Sequence, residues 1–445
     1  MTESASMPTP DAPLWGVRAV YTTFGCKLNF AETATIAGQL EALGATGVQE
    51  GEQVELCVVN SCAVTQVAEQ KCRQAVHRLK REHPGALIVV MGCYAQLRKR
   101  LPTPFPLDAL LIPNEQKAQA AQLIVERLTG HVAERGSAWR FASACSRGER
   151  TRWFLKVQDG CNYGCTYCTI PAARGHSRNP SVESLVAQAE EVARAGGREI
   201  VLTGVNIGDF GRSTGEELIW LLRRLDAVDG IERYRISSIE PDLLTDEIID
   251  FVACSRAFMP HFHIPLQAGS DEVLHLMRRR YDTALFSRKV ARIKATMPHA
   301  FIGVDVMAGT RGETDALFEQ GFAYLSDLPV SQLHVFPYSE RPGTAALRIP
   351  HSVPPAVKRQ RTTRLIALSE EKRRGFYRQF TGTVRKVLLE HAAKGKPMHG
   401  FTDNYLRVEV NESGARENDV VNVRLGQLNA GGDALLATIE PQSSV

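Results

Sequence analysis

Three cysteines lie within eight residues near the middle of the chain, in the segment DGCNYGCTYCTIP. Cys161, Cys165 and Cys168 have the spacing Cys-x3-Cys-x2-Cys, with Gly160 and Gly164 beside them. Thiolates are natural ligands of iron–sulfur clusters and of zinc. Because a four-iron cube needs four ligands, three cysteines leave one iron open, and an open metal position is typical of a reactive site. The spacing therefore predicts an oxygen-sensitive 4Fe-4S cluster that takes part in chemistry.

Two other interpretations of these cysteines stay open. Structural zinc would use the three thiols with His176 as its fourth ligand, although structural zinc sites usually show paired ligands in two knuckles. A thioredoxin-like pair, Cys165-x-x-Cys168, would normally open a helix and have no third cysteine beside it. Both patterns match the sequence less well than a cluster does.

A second set of three cysteines is spread over the first hundred residues, and each follows an apolar, strand-like run. The pairs are Val17–Phe24 with Cys26, Val54–Asn60 with Cys62, and Ala86–Met91 with Cys93. Taken singly, each would be interpreted as a buried structural thiol. Because the carboxyl ends of parallel strands form one crevice, the three thiols are expected to converge there on a second metal cluster. Gly25 and Gly92 permit the tight turns that this requires.

The remaining cysteines have patterns typical of packing. Cys72 shares an apolar helical face, Cys57 lies inside a strand-like run, and Cys254 lies in an apolar helix, so all three are predicted to be core residues. Cys145 lies in a basic stretch, Glu134–Arg150, that we interpret as a linker. It is assigned no role.

The composition is that of an ordinary globular chain. It has 445 residues, which suggests about three domains at roughly 150 residues each. No apolar run reaches the ~20 residues that cross a bilayer, and the N-terminus lacks a basic region followed by an apolar core. We therefore expect a cytoplasmic protein without a membrane partner. In that compartment its ten cysteines would stay reduced, which favours metal binding over disulfides.

Strand-like and helical patterns alternate through the first part of the chain, which predicts a parallel, Rossmann-like α/β domain. Residues 1–16 are expected to be a disordered tail and 17–140 the domain itself. A helix is predicted from about Ala31 to Leu43. A second helix is capped by Thr65 and ends before His83-Pro84-Gly85.

Six further strand-like runs, separated mostly by helical segments, predict an incomplete (β/α)6 barrel over residues 147–375. They are Trp153–Val157, Glu199–Thr203, Tyr234–Ser237, His261–Pro265, Phe301–Val306 and Gln332–Phe336. After Arg374 the pattern changes to short β-rich runs between Gly, Asn and charged turns, which predicts a small antiparallel β-barrel over 376–441. These runs are Phe380–Leu389, Asn404–Val410, Asp419–Arg424 and Ala434–Ile439.

The net charge of +4 is unevenly distributed. From Arg341 to Lys386 there are 12 Lys or Arg and 2 Asp or Glu, so this segment alone carries +10 and the rest of the chain −6. Such a block indicates a polyanionic partner, most simply nucleic acid. A solvated helix face rich in Lys and Arg would give the same pattern.

Taken together, the motifs resemble the methylthiotransferase family of radical S-adenosylmethionine (SAM) enzymes, from about Val17 to Ile439. The motifs are TFGCKLNFAE, VVNSCAVT, MGCYAQ, QDGCNYGCTYC, LTGVNIGDFG, RISSIEP, HIPLQAGSDEVL and HVFPYSERPGT. The C-terminal FTDNYLRVEV segment resembles the TRAM domain, a small RNA-binding β-barrel. Two places depart from the family pattern: AGTRGET at Ala308–Thr314, where a GFPGET-like turn is usual, and PLQAGS, where Ala268 replaces a common serine.

The resemblance implies two 4Fe-4S clusters and two uses of SAM. One SAM would bind the open iron of the Cys161, Cys165 and Cys168 cluster and be cleaved to methionine and a 5′-deoxyadenosyl radical. The other would supply a methyl group to sulfur at the cluster held by the first three cysteines. The net result is a methylthio group at an unactivated C–H position. The cofactors would carry the chemistry while the protein positions and shields them.

The same resemblance implies contacts to SAM at the carboxyl ends of the barrel strands, where barrel enzymes place their sites. Ordinary polar residues at strand ends would look the same. The candidate contact residues are Thr203, Gly204, Asn206, Ser237, Glu240, Gln267 and Arg174.

Three branches of the family compete for the substrate. They modify N6-threonylcarbamoyladenosine next to the tRNA anticodon, N6-isopentenyladenosine at the same place, or an aspartate of a ribosomal protein. The residues GCKLN at Cys26, with Lys27, resemble the first branch. The expected partners are then the anticodon stem-loop of tRNA, SAM and a reducing donor such as a flavodoxin-type protein. A chain that had lost catalysis would instead be an RNA-binding, metal-stabilised scaffold.

Overall fold

The computed structural model describes residues 11–49, 51–101, 108–131, 141–146, 151–393, 396–411 and 414–440. The chain forms two compact units. The first contains Met1–Arg147, Phe154–Pro180 and Ser339–Thr344, and the second contains Gly148–Trp153, Ser181–Tyr338 and Ala345–Val445. This division differs from the domains expected at 17–140, 147–375 and 376–441, because the segment with the three closely spaced cysteines packs with the N-terminal residues.

The first unit is built on a five-stranded, wholly parallel sheet of order β2-β1-β3-β4-β5. Its strands are β1 Arg18–Thr23, β2 Thr46–Gly47, β3 Leu56–Ser61, β4 Leu87–Gly92 and β5 Leu110–Pro113. Its helices are α1 Lys27–Ala42, α2 Gln66–Glu82, α3 Cys93–Leu97, α4 Ala120–Thr129 and, further along the chain, α5 Ile170–Arg174. The predicted parallel α/β fold is confirmed.

Local sequence explains where these helices begin and end. Thr65 caps α2 by accepting a hydrogen bond from the Ala68 amide at 3.2 Å, and α2 ends at His83, as predicted. Helix α1 begins at Lys27, earlier than the predicted Ala31, because Cys26 is already its N-cap residue. The two strands that sequence patterns missed, β2 and β5, are only two and four residues long.

The prediction that residues 1–16 form a disordered tail is wrong for the last six of them. Residues 11–16 form turns, and Leu14 is fully buried beside Ile36 and Leu40 of α1. The Leu14 amide also donates to the Leu43 carbonyl at 2.9 Å. Apolar burial therefore orders this segment, while residues 1–10 lie outside the described residues.

The second unit contains the parallel barrel strands and the helices that cover them. The strands are β6 Arg152–Lys156, whose first two residues belong to this unit, β7 Glu199–Thr203, β8 Arg233–Ile236, β9 His261–Gln267, β10 Phe301–Ala308 and β11 Gln332–Pro337. They form sheets of order β6-β7-β8 and β11-β10-β9, joined by a parallel bridge between Ser238 and His263. The helices are α6 Val182–Arg194, α7 Leu218–Asp226, α8 Asp246–Cys254, α9 Asp271–Leu276, α10 Thr283–Thr296, α11 Asp315–Asp327 and α12 Pro355–Arg378.

A closed five-stranded barrel follows α12, in the order β12-β13-β14-β16-β15. Its strands are β12 Val384–Leu389, β13 Met398–Thr402, β14 Arg407–Val410, β15 Val420–Leu428 and β16 Leu435–Ile439. The predicted small β-barrel is confirmed; its neighbouring strands pair antiparallel except β14 and β16, which pair in parallel. Sequence patterns missed β13, where Gly400 interrupts the run; an added Cβ there would lie 2.4 Å from the Leu388 carbonyl oxygen.

Helix α12 joins the two barrels of the second unit. It crosses the boundary expected at residue 375, and Phe376 packs at 5.5 Å, edge to face, on Phe301 of β10. Phe376 also belongs to the core that fills the C-terminal barrel. Within the described residues, none of the helices is long and apolar enough to span a bilayer.

Candidate active site

The first cysteine set lies along one edge of the parallel sheet of the first unit. Cys62 and Cys93 directly follow β3 and β4, and Cys26 lies three residues after the end of β1, as the N-cap of α1. These three strands are immediate neighbours in the sheet. Ser61 is paired in register with Gly92, so the next residues, Cys62 and Cys93, leave their strands side by side. The predicted convergence of the three strand ends is therefore present.

Two glycines make this convergence possible. Gly25 and Gly92 both have φ of +101°, a conformation that L side chains rarely adopt. An added Cβ at Gly25 would lie 2.9 Å from Cβ and 3.1 Å from Sγ of Cys62, so the turn before Cys26 lies directly against Cys62. At Gly92 an added Cβ would lie 2.7 Å from Oδ1 of Asn60.

The environment of these thiols is graded from buried to exposed. Cys93 and Cys62 are 2% and 8% exposed, whereas Cys26 is exposed. Burial, with the nearby Cys93 thiol, raises the pKa of Cys62 to about 12. The Asn114 side-chain amide lies 3.5 Å from Sγ of Cys93 and donates to the Ala173 carbonyl at 2.8 Å. The set thus has two enclosed thiols and one at the surface of the unit.

The second cysteine set lies on a loop that is closed by main-chain hydrogen bonds. The amide and carbonyl of Asp159 both bond to Arg178 at 2.9 Å, and the Cys161 amide donates to the Gly175 carbonyl at 3.0 Å. Within the loop, the Tyr163 amide lies 3.4 Å from Sγ of Cys161. Likewise, the Ile170 amide lies 3.4 Å from Sγ of Cys168. Amides directed at sulfur are a recurring feature of iron–sulfur sites.

A buried polar network joins the two cysteine sets inside the first unit; we call it the Arg174 network. Its members are Asn29, Glu32, Asn60, Asn114, Lys117, Lys156, Asp159, Arg174 and Arg178. At its centre, the Glu32 carboxylate accepts hydrogen bonds from Lys117 at 2.7 Å and Lys156 at 2.8 Å. Sequence reasoning missed Glu32, Lys117, Lys156 and Asp159; the signal was a lysine closing the apolar run WFLK and a carboxylate inside the apolar helix after Cys26.

Arg174, a predicted SAM contact, is 2% exposed and committed to this network. Its guanidinium donates to Glu32 at 3.1 Å and 3.3 Å, to Asp159 at 2.9 Å, and to the Asn29 side-chain oxygen. All four of these N–H···O contacts go to protein acceptors, and the role of Arg174 as a SAM contact stays a prediction. Burial opposes ionisation of Glu32, yet Arg174, Lys117 and Lys156 hold the pKa of its carboxyl well below the usual range.

The other predicted SAM contacts lie in the second unit, at the carboxyl ends of successive parallel strands. Thr203 ends β7, Ser237 follows β8 and Gln267 ends β9. Asn206 is buried at the N-terminus of a short 3-10 helix after Gly204. Gln267 has a φ of +73° at a shift in the β9–β10 register, an unfavourable conformation that occurs often at functional sites.

Glu240 is the charged residue among these contacts. It forms an ion pair with Arg279, whose Nε lies 2.9 Å from the Tyr281 hydroxyl. Burial raises the pKa of Glu240, and Arg279 only partly offsets that effect.

A histidine–aspartate pair that sequence reasoning missed lies on the neighbouring strands β9 and β10. His263 Nε2 is 2.7 Å from Asp305 Oδ1. Its sequence signal was a histidine and an aspartate inside two largely apolar strands.

Comparison with known proteins places the two cysteine sets in two family models. The Uncharacterized protein family UPF0004 matches residues 18–111, and the Radical SAM superfamily matches residues 155–324. The chain is 34% identical over 407 residues to the threonylcarbamoyladenosine tRNA methylthiotransferase of Bacillus subtilis (strain 168), covering 87% of this chain and 88% of that protein. It is also 30% identical over 415 residues to a tRNA-2-methylthio-N(6)-dimethylallyladenosine synthase of Caldicellulosiruptor saccharolyticus, covering 90% and 86% of the two chains.

The chain belongs to the methylthiotransferase family of radical SAM enzymes. A solved structure with the same fold is a radical SAM methyltransferase from Kitasatospora setae, at 13% identity and a TM-score of 0.54, covering 74% of this chain and 76% of that one. At that identity the likeness supports the fold alone. The expected family resemblance is confirmed.

Membership of this family implies SAM and 4Fe-4S clusters as cofactors, and the donor sets present fit such clusters. Each set supplies three thiols, as a cube with one open iron requires. Across the described residues, no group of three His, Cys, Asp or Glu side chains is arranged to hold a single metal ion. His176, the fourth ligand in the zinc alternative, has its Nδ1 3.1 Å from Oδ1 of Asn162.

The other cysteines of this methylthiotransferase divide into two groups. Cys57 and Cys72 are fully buried core residues, and burial raises the pKa of each to about 12, so those two predictions are confirmed. The prediction for Cys254 is wrong, because it is exposed at the last residue of α8. At this helix end the Cys254 side chain does not lie on the apolar face that the sequence pattern indicated.

The basic segment is largely neutralised inside the fold. Arg361, Arg364 and Arg385 form ion pairs with Asp315, Glu319 and Asp403, and Arg341 pairs with Glu69 at 2.7 Å. The exposed members of the segment are Arg348, Arg359, Arg374, Arg378 and Lys386. The sequence count of +10 therefore overstates the free charge, and the exposed groups form the part that can meet an RNA phosphate.

A cavity of about 130 Å³ lies beside Cys168 in the first unit. Its wall includes Leu97 and Arg100, which follow the third cysteine of the first set, and Arg341. Cys168 of the second cysteine set therefore lines this cavity together with two arginine side chains.

The turn at AGTRGET keeps a closed geometry despite its departure from the family pattern. Glu313 accepts hydrogen bonds from the amides of Gly309 at 2.6 Å and Thr310 at 3.0 Å. Ala268, the other departure, is buried.

Replacing Gly160 with alanine should displace the loop of the second cysteine set. Gly160 has a φ of +73°, and an added Cβ would lie 2.0 Å from the His176 carbonyl oxygen. Gly164 of the same loop has open space at its Cβ position and is the matched control. After anaerobic reconstitution, Gly160→Ala should lose about half of the bound iron and Gly164→Ala should keep it. Equal iron contents in the two variants would contradict this geometry.

Proposed function

We propose that this chain adds a methylthio group to C2 of N6-threonylcarbamoyladenosine, next to the anticodon of tRNA. The observation that carries the proposal is the presence of two three-cysteine sets in one compact unit, each positioned by main-chain geometry. In the net reaction, the C2–H bond is replaced by a C2–S bond to a methylthio group. The bound clusters and SAM supply the radical chemistry.

The chain's own residues have positioning roles in this proposal. Cys161, Cys165 and Cys168 hold one cluster, and Cys26, Cys62 and Cys93 hold the other. Thr203, Gly204, Asn206, Ser237, Glu240 and Gln267 orient SAM at the barrel strand ends. The burial of Cys62 and Cys93 keeps water away from their cluster.

RNA as the substrate is supported by the second unit. Its C-terminal barrel is small and closed, as in the TRAM domains it resembles, and the exposed Arg374, Arg378 and Lys386 lie on α12 and on the β12 strand that follows. Phosphate contacts by such side chains supply most of the affinity for RNA. The cavity beside Cys168 is also lined by the exposed Arg100, whose charge suits an anionic ligand.

The choice of modified base rests on the relatives. Relatives named as threonylcarbamoyladenosine tRNA methylthiotransferases, from Bacillus subtilis, Thermotoga maritima and three other bacteria, are 31–34% identical to the chain. Relatives named for dimethylallyladenosine reach 30% and 32%. Lys27, in GCKLN, is exposed at the first turn of α1. We further propose a cytoplasmic location and a flavodoxin-type electron donor, as a tRNA-modifying enzyme of this family would need.

Replacing Cys161, Cys165 and Cys168 together with alanine should remove one cluster and leave the other. The reconstituted unaltered chain should hold about eight irons and the variant about four, because each cube holds four. SAM cleavage to 5′-deoxyadenosine should disappear. Cys254→Ala, which removes an exposed thiol outside both sets, is the control and should keep the iron and the cleavage. Cleavage that persists in the triple variant would contradict the role proposed for these three cysteines. A colourless unaltered protein that does not cleave SAM would favour the scaffold alternative.

Deleting the gene should remove the methylthio group from threonylcarbamoyladenosine in cellular tRNA. Nucleoside analysis of total tRNA by mass spectrometry would then show threonylcarbamoyladenosine in place of its methylthio derivative. Restoring the unaltered gene should return the product, and restoring the triple cysteine variant should not. Loss of the methylthio group from the isopentenyl nucleoside alone would assign the chain to the other tRNA branch.

A further inference from the structure

The Arg174 network contacts both cysteine sets without supplying a ligand to either. On one side, the Asn29 side-chain amide donates to the Ser61 carbonyl, next to Cys62, at 3.2 Å. On the other side, Asp159 accepts from the Gly160 amide, next to Cys161, at 2.8 Å. Arg174 bonds to both Asn29 and Asp159, so one guanidinium spans the two sides.

The network carries more positive than negative charge. Four basic side chains, Lys117, Lys156, Arg174 and Arg178, face the two carboxylates of Glu32 and Asp159. Five of these six groups are buried, so solvent screens their charges only weakly. A buried excess of charge is costly unless an opposite charge lies close by.

The first cysteine set lies beside this excess of positive charge, and its sulfurs would become negatively charged thiolates on binding a cluster. Arg174 interacts electrostatically with Cys26 and Cys93, and Cys62 interacts with Arg174 in turn. Lys117 interacts with Cys93 as well. Asn114 reinforces this side of the network, because its amide lies beside Cys93 and bonds to the residue before Arg174. All these groups belong to the first unit.

We propose that Arg174 is a positioning residue that fixes the spacing of the two cysteine sets and, with Lys117, provides the counter-charge for the cluster on Cys26, Cys62 and Cys93. This inference rests on the proposed function, which puts clusters on both sets. A positive charge held near a cluster favours its reduced, more negative form, so the network raises the reduction potential of that cluster. Net charge and burial are among the factors that set such potentials.

The sign of the charge distinguishes this role from a purely structural one. Arg174→Gln and Lys117→Gln each remove one positive charge, and Glu32→Gln removes one negative charge from the same network. Electrostatic control predicts opposite shifts of the potential for the two kinds of variant. A purely structural role predicts similar loosening whichever partner is lost, because each variant breaks the same ion pairs.

The test uses the full chain with Cys161, Cys165 and Cys168 replaced by alanine, so that only the first cysteine set holds iron. Its reduction potential is measured by a redox titration followed by electron paramagnetic resonance. Arg174→Gln and Lys117→Gln should shift the potential downward, and Glu32→Gln should shift it upward. Arg174→Lys keeps the positive charge, so its reduction potential should stay close to that measured with Arg174 in place. Arg18→Gln removes a surface charge that is paired with Glu55 and should change nothing.

Shifts of the same sign for Lys117→Gln and Glu32→Gln would overturn the inference. So would an Arg174→Gln potential equal to that of Arg18→Gln. If Arg174→Gln does not fold, the comparison of Lys117→Gln with Glu32→Gln decides, since both variants keep a polar side chain of similar size at the substituted position. Absence of iron from the unaltered chain would overturn the proposed function instead, so the two failures are distinguishable.

Discussion

The first unit depends on the ion pairs between Arg174, Glu32 and Asp159. Glu32 comes from the helix after Cys26, whereas Asp159 and Arg174 flank the loop of the second cysteine set. These groups are nearly fully buried, and removing one partner of a buried pair typically costs about 3–5 kcal/mol. The residues proposed to hold two clusters are therefore connected by an interaction that cannot be lost without a large loss of stability.

The second unit uses buried arginines in a comparable way. Arg233 and Arg235 of β8 donate hydrogen bonds to carbonyl oxygens of the C-terminal barrel, at Lys386, Phe401, Thr402 and Asp403. Glu199 balances their charge. The predicted SAM contacts follow the carboxyl ends of the same strands. Strand β8 thus contacts the C-terminal barrel proposed to bind RNA and also leads into Ser237, one of the residues proposed to bind SAM.

Sequence patterns could indicate where the cysteine sets lie because strand ends, turns and cysteine spacing are local features. Strand ends and glycines place Cys26, Cys62 and Cys93, and spacing alone indicates the role of Cys161, Cys165 and Cys168. The same patterns missed the Arg174 network, because its members are distant in sequence and only tertiary packing brings them together. They placed Cys254 in the core because a helical face does not show where its helix ends. They overestimated the basic block because ion pairs such as Arg361–Asp315 are made across the fold.

The most direct test of the account is methylthiolation by the purified, anaerobically reconstituted chain. It would be given SAM, a chemical reductant and one of two anticodon stem-loops, which carry either N6-threonylcarbamoyladenosine or N6-isopentenyladenosine. Mass spectrometry of the digested RNA reports the product. The account predicts a methylthio group on the threonylcarbamoyl nucleoside and none on the isopentenyl nucleoside. Modification of the isopentenyl stem-loop alone, or of neither with iron and SAM bound, would contradict it.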